Sequence, residues 1–383
     1  MKEDKRSGSR TMVVLLACLL AWAAAGCSPD GAPAATVPEQ EPGGGTVQPV
    51  TPVIPAPKPE PAYAAPLTGM KIPSPNEVRP VMVVVNNAPQ ARPQSGLSQA
   101  DLLFEVLAEG EITRLIAFYQ SRSTTDPVGP VRSIRPYFIS LGKGYGAVQV
   151  HAGGSPDGYE TIRRQKIENL DEITNAGTYF WREKSRKAPH NLYTSIDSAR
   201  QGADKRGFPG QGNAEPVYSF LQTPEAAAAS TSAGTTTAGT TTTGAAVGLG
   251  GVDASRIDIT FLLKSYLVSY EYDQTTSSYK RFIDKAPHID LNNGEALQAA
   301  NVIVMGAEHR VLDREGRRDV KLTGSGPALL FQQGKAITIE WRREQENSPV
   351  RWYEQGREVA LVPGQTHVMI VPKTPTFEEH VVY

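Results

Sequence analysis

The sequence predicts an α+β protein with a layered α/β-type first domain followed by a mostly β second domain. Three observations support this. In residues 70–221, short apolar runs alternate with segments that begin like helices. In residues 252–383, apolar and polar residues alternate between turns that contain glycine, as in half-buried strands. Residues 222–251, rich in Thr, Ala and Gly, form a predicted linker between the two.

The elements of the first domain follow from its apolar runs. Residues 81–85 (VMVVV) suit a buried strand and are too few for a helix. Residues 101–107 and 113–119 flank the turn Glu109-Gly110-Glu111, which predicts a β-hairpin. We expect a helix within residues 133–141, a strand over residues 147–151 and, after a Gly-Gly turn, a helix over residues 157–164.

The second domain is predicted to consist mainly of strands. Its alternating or short apolar runs cover residues 268–273, 279–282, 301–305, 336–341 and 366–371.

The N-terminus has the layout of a secretory signal that ends on a cysteine. Basic residues precede the apolar run of residues 12–25, and Cys27 follows Ala24-Ala25-Gly26. The run is shorter than the roughly 20 residues that a membrane-spanning helix needs. We therefore predict a lipoprotein signal peptide over residues 1–26 and acylation of Cys27, for example by palmitate. Plain secretion remains the alternative, because bacterial lipoprotein signals more often carry leucine where Ala24 stands.

A lipid on Cys27 would hold the protein at the extracytoplasmic face of the cell membrane. Residues 27–67 are rich in Pro, Ala and Gly and lack apolar periodicity, so we predict a disordered tether there. The chain has 39 basic and 40 acidic residues, a balance that argues against nucleic acid as a partner. Membrane affinity would therefore come from the acyl chains.

Several residues of the first domain could bind an anion or another ligand. Arg132 and Arg135 lie three apart where a turn leads into a predicted helix, and a helix start with guanidinium groups suits an anion. Arg114 could join them from the hairpin. The other candidates surround two histidines: His151, Gly153, Gly154, Ser155 and His190. The competing interpretation is structural, with the arginines paired to hairpin carboxylates and His151 supporting a tight turn.

Asp101, Glu105 and Glu109 form a candidate acidic cluster. Asp101 and Glu105 are four apart in a predicted strand and so share a face, and such a cluster could hold a divalent cation. A solvated strand edge is the competing interpretation. No spacing typical of a metal site joins the histidines, including His288 near Asp290.

Long segments of the chain resemble the YerB-like lipoprotein family, two-domain surface-anchored bacterial proteins whose function is not established. The segments are VMVVVNNAPQARP (81–93), ADLLFEVLAEGEITR (100–114), VGPVRSIRPYF (128–138), HAGGSPDGY (151–159), PHNLYTS (189–195), YKRFIDKAPHID (279–290) and GQTHVMIVP (364–372). The resemblance implies a lipoprotein with two domains and implies no reaction. The Thr-rich linker departs from the plain, short connection expected in that family.

Two functions remain open from the sequence. The first is a non-enzymatic binding or assembly module that recognises a cell-envelope polymer or protein. The second is an enzyme that transfers phosphoryl groups or handles polyprenyl phosphates, with Arg114, Arg132 and Arg135 holding a diphosphate and Asp101 or Glu105 holding magnesium. No recognisable catalytic motif is present, so the first function is favoured.

Overall fold

The computed structural model describes residues 63–221 (the first region) and 250–383 (the second region). Both regions belong to one compact unit, Lys58–Tyr383. The predicted signal peptide, Cys27 and most of the predicted tether lie outside the described residues. The predicted linker also lies outside them, apart from its last two residues, Gly250 and Gly251.

The first region contains three α-helices and nine strands among its described residues. The helices are α1 (Pro136–Gly144), α2 (Pro156–Gln165) and α3 (Ile196–Lys205). The strands are β1 (Tyr63–Ala64), β2 (Lys71–Ile72), β3 (Val81–Asn86), β4 (Leu102–Glu109), β5 (Ile112–Tyr119), β6 (Val148–His151), β7 (Asn169–Asp171), β8 (Trp181–Arg182) and β9 (Leu192–Tyr193).

The described part of the second region is built from strands and one 3-10 turn, Glu378–His380. The strands are β10 (Val252–Asp253), β11 (Arg256–Thr260), β12 (Leu267–Asp273), β13 (Ser278–Ile283), β14 (Ala286–Pro287), β15 (Gln298–Ala299), β16 (Asn301–Val311), β17 (Arg318–Lys321), β18 (Gly324–Gln332), β19 (Lys335–Arg343), β20 (Arg351–Glu354), β21 (Arg357–Glu358), β22 (Thr366–Pro372) and β23 (Val381–Val382).

One large sheet runs through both regions, in the order β21-β20-β19-β18-β16-β22-β4-β5-β3-β6-β7. The join lies where β22 of the second region pairs in parallel with β4 of the first. A second sheet, in the order β14-β13-β12-β11-β23, belongs to the second region. The two predicted domains are thus continuous through their backbone hydrogen bonds.

Strand alternation divides the large sheet into two faces. Along β4, Leu102, Phe104 and Val106 point to the face covered by α1. Leu103 and Leu107 both point to the opposite face. That face is covered by α3 near Leu103 and by the second sheet near Leu107. Glu105 lies between these two, at the seam where the second sheet begins.

The helices start where the sequence indicates. Arg135 is the N-cap of α1 with Pro136 at its first position, and Ser155 caps α2 by accepting a hydrogen bond from Gly158 N. No helix within the two described regions is long and apolar enough to cross a bilayer.

The α+β fold class is confirmed, with the helices in the first region and a mostly β second region. The predicted hairpin is confirmed by the antiparallel pairing of β4 with β5. The predicted strand over residues 81–85 is confirmed as β3, and all six of its residues are buried. The five strands predicted in the second domain are confirmed as β12, β13, β16, β19 and β22.

Candidate functional site

Most of the predicted site residues lie at one edge of the large sheet. β3, β6 and β7 are parallel, and β3 and β4 both run antiparallel to β5, so the carboxyl ends of these four strands share an edge. Arg114, early in β5, lies at this edge opposite Asn86. The segment with Arg132 crosses the same edge, because its N–H donates to Val84 O and its carbonyl accepts from Ala152 N. Such an edge is where open α/β sheets commonly bind ligands.

Arg114 and Arg135 converge on Glu109. Arg114 Nη2 lies 3.1 Å from Glu109 Oε2, and Arg135 Nη2 pairs with the same carboxylate. Their remaining Nη1 atoms donate to the carbonyls of Thr113 and Ile134. The sequence leaves open whether these arginines pair with hairpin carboxylates. In the structure, Arg114 and Arg135 do so.

Arg132 differs from both neighbours. Its half-buried guanidinium has no ion pair or hydrogen bond with the described residues, and its Nε–H is buried without an acceptor. The Nε–H groups of Arg114 and Arg135 are also buried without acceptors. Burial and the neighbouring Arg132 charge lower the pKa of Arg114 to about 10, and burial lowers the pKa of Arg132. The cluster therefore holds more positive charge than its carboxylate neutralises.

His190 lies beside this cluster. Its Nδ1 accepts a hydrogen bond from the Asn86 side-chain amide at 2.8 Å. Burial and the charges of Arg132, Arg114 and Arg186 lower the pKa of His190, so the imidazole is neutral at pH 7. Asn86 is the last residue of the buried strand β3, and its side chain holds His190 in place at the sheet edge. We call Arg114, Arg132, Arg135, Glu109 and His190 the arginine cluster.

His151 and the Gly-Gly-Ser turn lie apart from the hydrogen bonds of the arginine cluster. The buried His151 ring lies 2.8 Å from Gly153 O through Nδ1 and 3.2 Å from Asn169 Oδ1 through Nε2. Burial lowers its pKa, with the carboxylate of Asp171 opposing that shift. These contacts match the structural interpretation of His151.

Asp171, which the sequence did not single out, organises the same turn. Its Oδ1 accepts from Gly153 N at 2.8 Å, and its Oδ2 accepts from Tyr159 OH at 3.0 Å and from Thr174 Oγ1. Although burial opposes ionisation, the Gly153 N–H and His151 hold the pKa of Asp171 below its usual range. Gly153 has a φ of +74°, so its freedom from a Cβ matters here. Its N–H is occupied and does not face an open anion site. Ser155 serves as the cap of α2.

The three acidic candidates do not come together. Asp101 Oδ2 accepts from the backbone N–H groups of Gln120 and Ser121, Glu105 pairs with Arg281, and Glu109 pairs with Arg114 and Arg135. Four residues of an extended strand separate Asp101 from Glu105, or roughly 13 Å. No group of three or more acidic, histidine or cysteine side chains within residues 63–221 and 250–383 could hold a metal ion. The predicted acidic cluster is corrected accordingly.

A buried polar network lies at the seam and was not predicted. Arg281 pairs with Glu105, and its Nε donates to His288 Nδ1 at 2.9 Å. His288 Nε2 in turn donates to Gln94 Oε1 at 2.7 Å. The amide of Asn87 donates to Glu105 Oε1 at 3.0 Å. The network thus ties three first-region segments to the YKRFIDKAPHID segment of the second.

Asn86 and Asn87 connect this network to the arginine cluster. Asn86 bonds His190 at the sheet edge, and its neighbour Asn87 bonds Glu105 below. The sign of this connection in the sequence is the pair of asparagines directly after the apolar run of residues 81–85.

A separate cleft of about 410 Å³ lies between α1, α2 and the β16–β17 hairpin. Its lining has mixed charge, including Arg164, Lys321 and Glu308, and contains none of the arginine cluster residues. It therefore adds no group to the candidate site.

Comparisons with known proteins agree with this two-part architecture. The N-terminal domain of the family described as "Protein of unknown function (DUF3048)" matches residues 67–209, and its C-terminal domain matches residues 257–368. The chain is 36% identical over 309 residues to "Putative lipoprotein YerB" of Bacillus subtilis (strain 168), covering 80% of this chain and 86% of that protein. The chain belongs to the DUF3048 family, with YerB as a relative.

A crystal structure of the YerB protein from Bacillus subtilis has the same fold. It superposes with a TM-score of 0.70 at 33% identity, covering 84% of this chain and 99% of that one. The resemblance to the YerB-like family is thereby confirmed. All five residues of the arginine cluster fall within the N-terminal DUF3048 domain, whereas Arg281 and His288 fall within the C-terminal one.

Proposed function

We propose that this protein is a lipid-anchored envelope lipoprotein that binds an anionic cell-envelope polymer through the arginine cluster. The observation that carries the proposal is the guanidinium of Arg132, which has no described partner and lies beside Arg114 and His190. A half-buried cation without a counter-ion is costly. A polymer with repeated phosphodiester or carboxylate groups would supply that counter-ion.

The membrane anchor is supported by the N-terminal sequence and by the name of the YerB relative. Cys27 would carry the lipid after removal of residues 1–26, on the extracytoplasmic face of the cell membrane. The experiment is fractionation of cells that express wild type or Cys27→Ser, with mass analysis of the mature N-terminus. Wild type should enter the membrane fraction as an acylated chain that begins at Cys27. An unacylated wild-type chain would overturn this part of the proposal.

Binding is tested with the full-length chain in detergent, with poly(glycerol phosphate) as the phosphodiester probe and poly(glutamate) as the carboxylate probe. Arg132→Ala should weaken binding about tenfold or more, because a charge-assisted hydrogen bond contributes about 1.5–3 kcal/mol. Arg163→Ala is the matched control, since it removes an exposed arginine on α2 that has no described partner. Equal affinity of wild type and Arg132→Ala for both polymers would refute the assignment of the site.

The alternative of a phosphoryl-transfer enzyme gains no support from this geometry. It needs Asp101 or Glu105 as a magnesium ligand, and both carboxylates have protein partners away from the arginines. It also needs Arg114 and Arg135 for a diphosphate, and both are paired with Glu109.

A further inference from the structure

Asn86 lies on the same face of the large sheet as two arginines of the cluster. In the β3–β5 pair it stands directly opposite Arg114. On the other side of β3, Val85 forms an antiparallel bridge with Val131, so the next residue, Arg132, puts its side chain on the face of Asn86. Direct and diagonal neighbours of this kind lie within reach of long side chains. The register of the strands thus places the Asn86 amide between Arg114 and Arg132.

The orientation of the Asn86 amide is fixed by a backbone group. Ala88 N–H donates to Asn86 Oδ1 at 3.1 Å, and a backbone N–H can only donate. The amide therefore turns its NH2 group toward His190, whose Nδ1 lies 2.8 Å from Asn86 Nδ2. Nδ1 must accept this hydrogen bond, so the proton of the neutral ring lies on Nε2. Asn86 thus selects the Nε2–H tautomer of His190.

His190 is also kept neutral and held in place by its loop. Burial and the charges of neighbouring arginines, Arg132 first among them, lower its pKa. Arg186, four residues earlier, donates to the carbonyls of Ala91 and Pro93 at 2.6 and 2.5 Å, which fixes the loop to the first region. The half-buried His190 ring makes no other side-chain hydrogen bond with the described residues. Its Nε2–H is therefore an oriented neutral donor that is available to a ligand.

We propose that His190 is a ligand-binding residue of the arginine cluster that donates from Nε2–H to the anionic polymer bound by Arg132, and that Asn86 is the positioning residue that orients it. This inference rests on the proposed polymer binding. Arg132 supplies charge, and His190 supplies a directed hydrogen bond that orients an oxygen of the ligand.

The first measurement is the tautomer of His190 in the full-length chain, with isotope-labelled histidine observed by NMR in detergent. Wild type should show a protonated Nε2 and an unprotonated Nδ1, assigned by comparison with His190→Gln. Poly(glycerol phosphate) or poly(glutamate) should shift the Nε2 resonance and slow the exchange of its proton with water. Asn86→Ala should mix the two tautomers, which the loss of a merely structural side chain would not do. A wild-type ring protonated at Nδ1 would overturn the inference.

The second measurement is affinity, by calorimetric titration with the same two polymers. His190→Leu should weaken polymer binding about tenfold, because a hydrogen bond to a charged group is lost. His190→Gln should retain most of the affinity, since a glutamine amide also offers a neutral N–H. Ser185→Ala is the matched control, because it removes an exposed neutral donor from the same loop and should leave the affinity unchanged. Equal weakening in His190→Gln and His190→Leu would mean that ring shape and not hydrogen-bond donation matters, and the inference would fail.

The outcomes also separate this inference from the proposed function. Unchanged affinity in His190→Leu, together with weakened binding in Arg132→Ala, would overturn the role of His190 and leave polymer binding intact. If wild type binds neither polymer, inorganic phosphate is the remaining probe. A shift of the His190 Nε2 resonance on addition of phosphate would then support anion binding by His190 and overturn polymer binding. No response of His190 to any of these probes would overturn both.

Discussion

Arg281 of the second region pairs with Glu105 of the first at a point where neither side chain touches solvent. Tyr270 OH accepts from Arg281 Nη1 at 2.6 Å, and Tyr266 OH donates to Glu105 Oε1 at 2.6 Å. Both charges are therefore surrounded by hydrogen-bonding partners, which a buried ion pair requires. The pair lies beneath Asn87 and links the two regions at the seam between their cores.

Replacing Glu105 should destabilise the protein strongly. Glu105→Gln leaves the Arg281 charge buried without its counter-ion, and we expect a loss of about 3–5 kcal/mol in the free energy of unfolding, measured by urea denaturation. Glu271→Gln is the control, because its pair with Arg256 is about half exposed and should contribute under about 1 kcal/mol. Similar losses in the two variants would contradict the structural role of the buried pair.

Asp290 should stabilise the loop that precedes β4, at residues 96–98. Its Oδ1 accepts from Gly96 N at 2.9 Å, and its Oδ2 accepts from Ser98 N at 2.8 Å and from Ser98 Oγ at 2.7 Å. Asp290→Ala should cost about 2–3 kcal/mol, because hydrogen bonds to a charged group are lost. Hydrogen exchange should quicken at residues 96–98. As a control, Asp204→Ala at an exposed position of α3 should change neither the stability nor the exchange. Unaltered exchange in Asp290→Ala would show that Asp290 does not hold this loop.

Acid should destabilise the fold through the buried histidines. Burial and the Arg281 charge hold the pKa values of His288 and His367 well below the ordinary value. The unfolded chain therefore binds more protons below about pH 6.5, so stability falls as the pH falls, by up to about 1.4 kcal/mol per pH unit for each histidine.

His288→Gln tests this dependence, because glutamine can accept from Arg281 and donate to Gln94. The loss in melting temperature between pH 7 and pH 5 should be smaller than in wild type, even if the variant is less stable at pH 7. A variant with an unchanged acid loss would show that His288 does not contribute to it.

Arg132 and Arg114 should differ in their effect on stability. Arg132→Ala removes a half-buried cation without a described partner, so the free energy of unfolding should stay the same or rise. Arg114→Ala removes a buried partner of Glu109 and should cost about 1–3 kcal/mol. Chemical denaturation of both variants measures the contrast. A large loss in Arg132→Ala would mean that this arginine is structural.

The local elements were predictable because each depends on a short stretch of sequence. The apolar run at residues 81–85 and the alternation on both sides of Gly110 are signals of β3 and of the β4–β5 hairpin. The proline after Arg135 and the Ser155 cap mark helix starts in the same way. The proximity of Arg114, Arg132 and Arg135 could also be anticipated.

The partners of these residues could not be predicted, because they come from distant parts of the chain. Glu105 and Arg281 are 176 residues apart, and nothing in the spacing around either of them names the other. The same holds for Gln94 and His288, which are 194 residues apart. The spacing along the chain therefore groups Glu105 with Asp101 and Glu109, which lie just before β4 and at its end but in different surroundings.

The sequence by itself determined the family, the α+β class and the residues from which the arginine cluster is made, since these depend on local pattern and residue type. The tertiary structure alone decided which charges are neutralised. By inserting β22 beside β4, it placed Arg281 on Glu105, and by docking the tips of the β4–β5 and β16–β17 hairpins it placed Glu109 between Arg114 and Arg135. Arg132 was left without a described partner because charge compensation depends on distance in space and not along the chain.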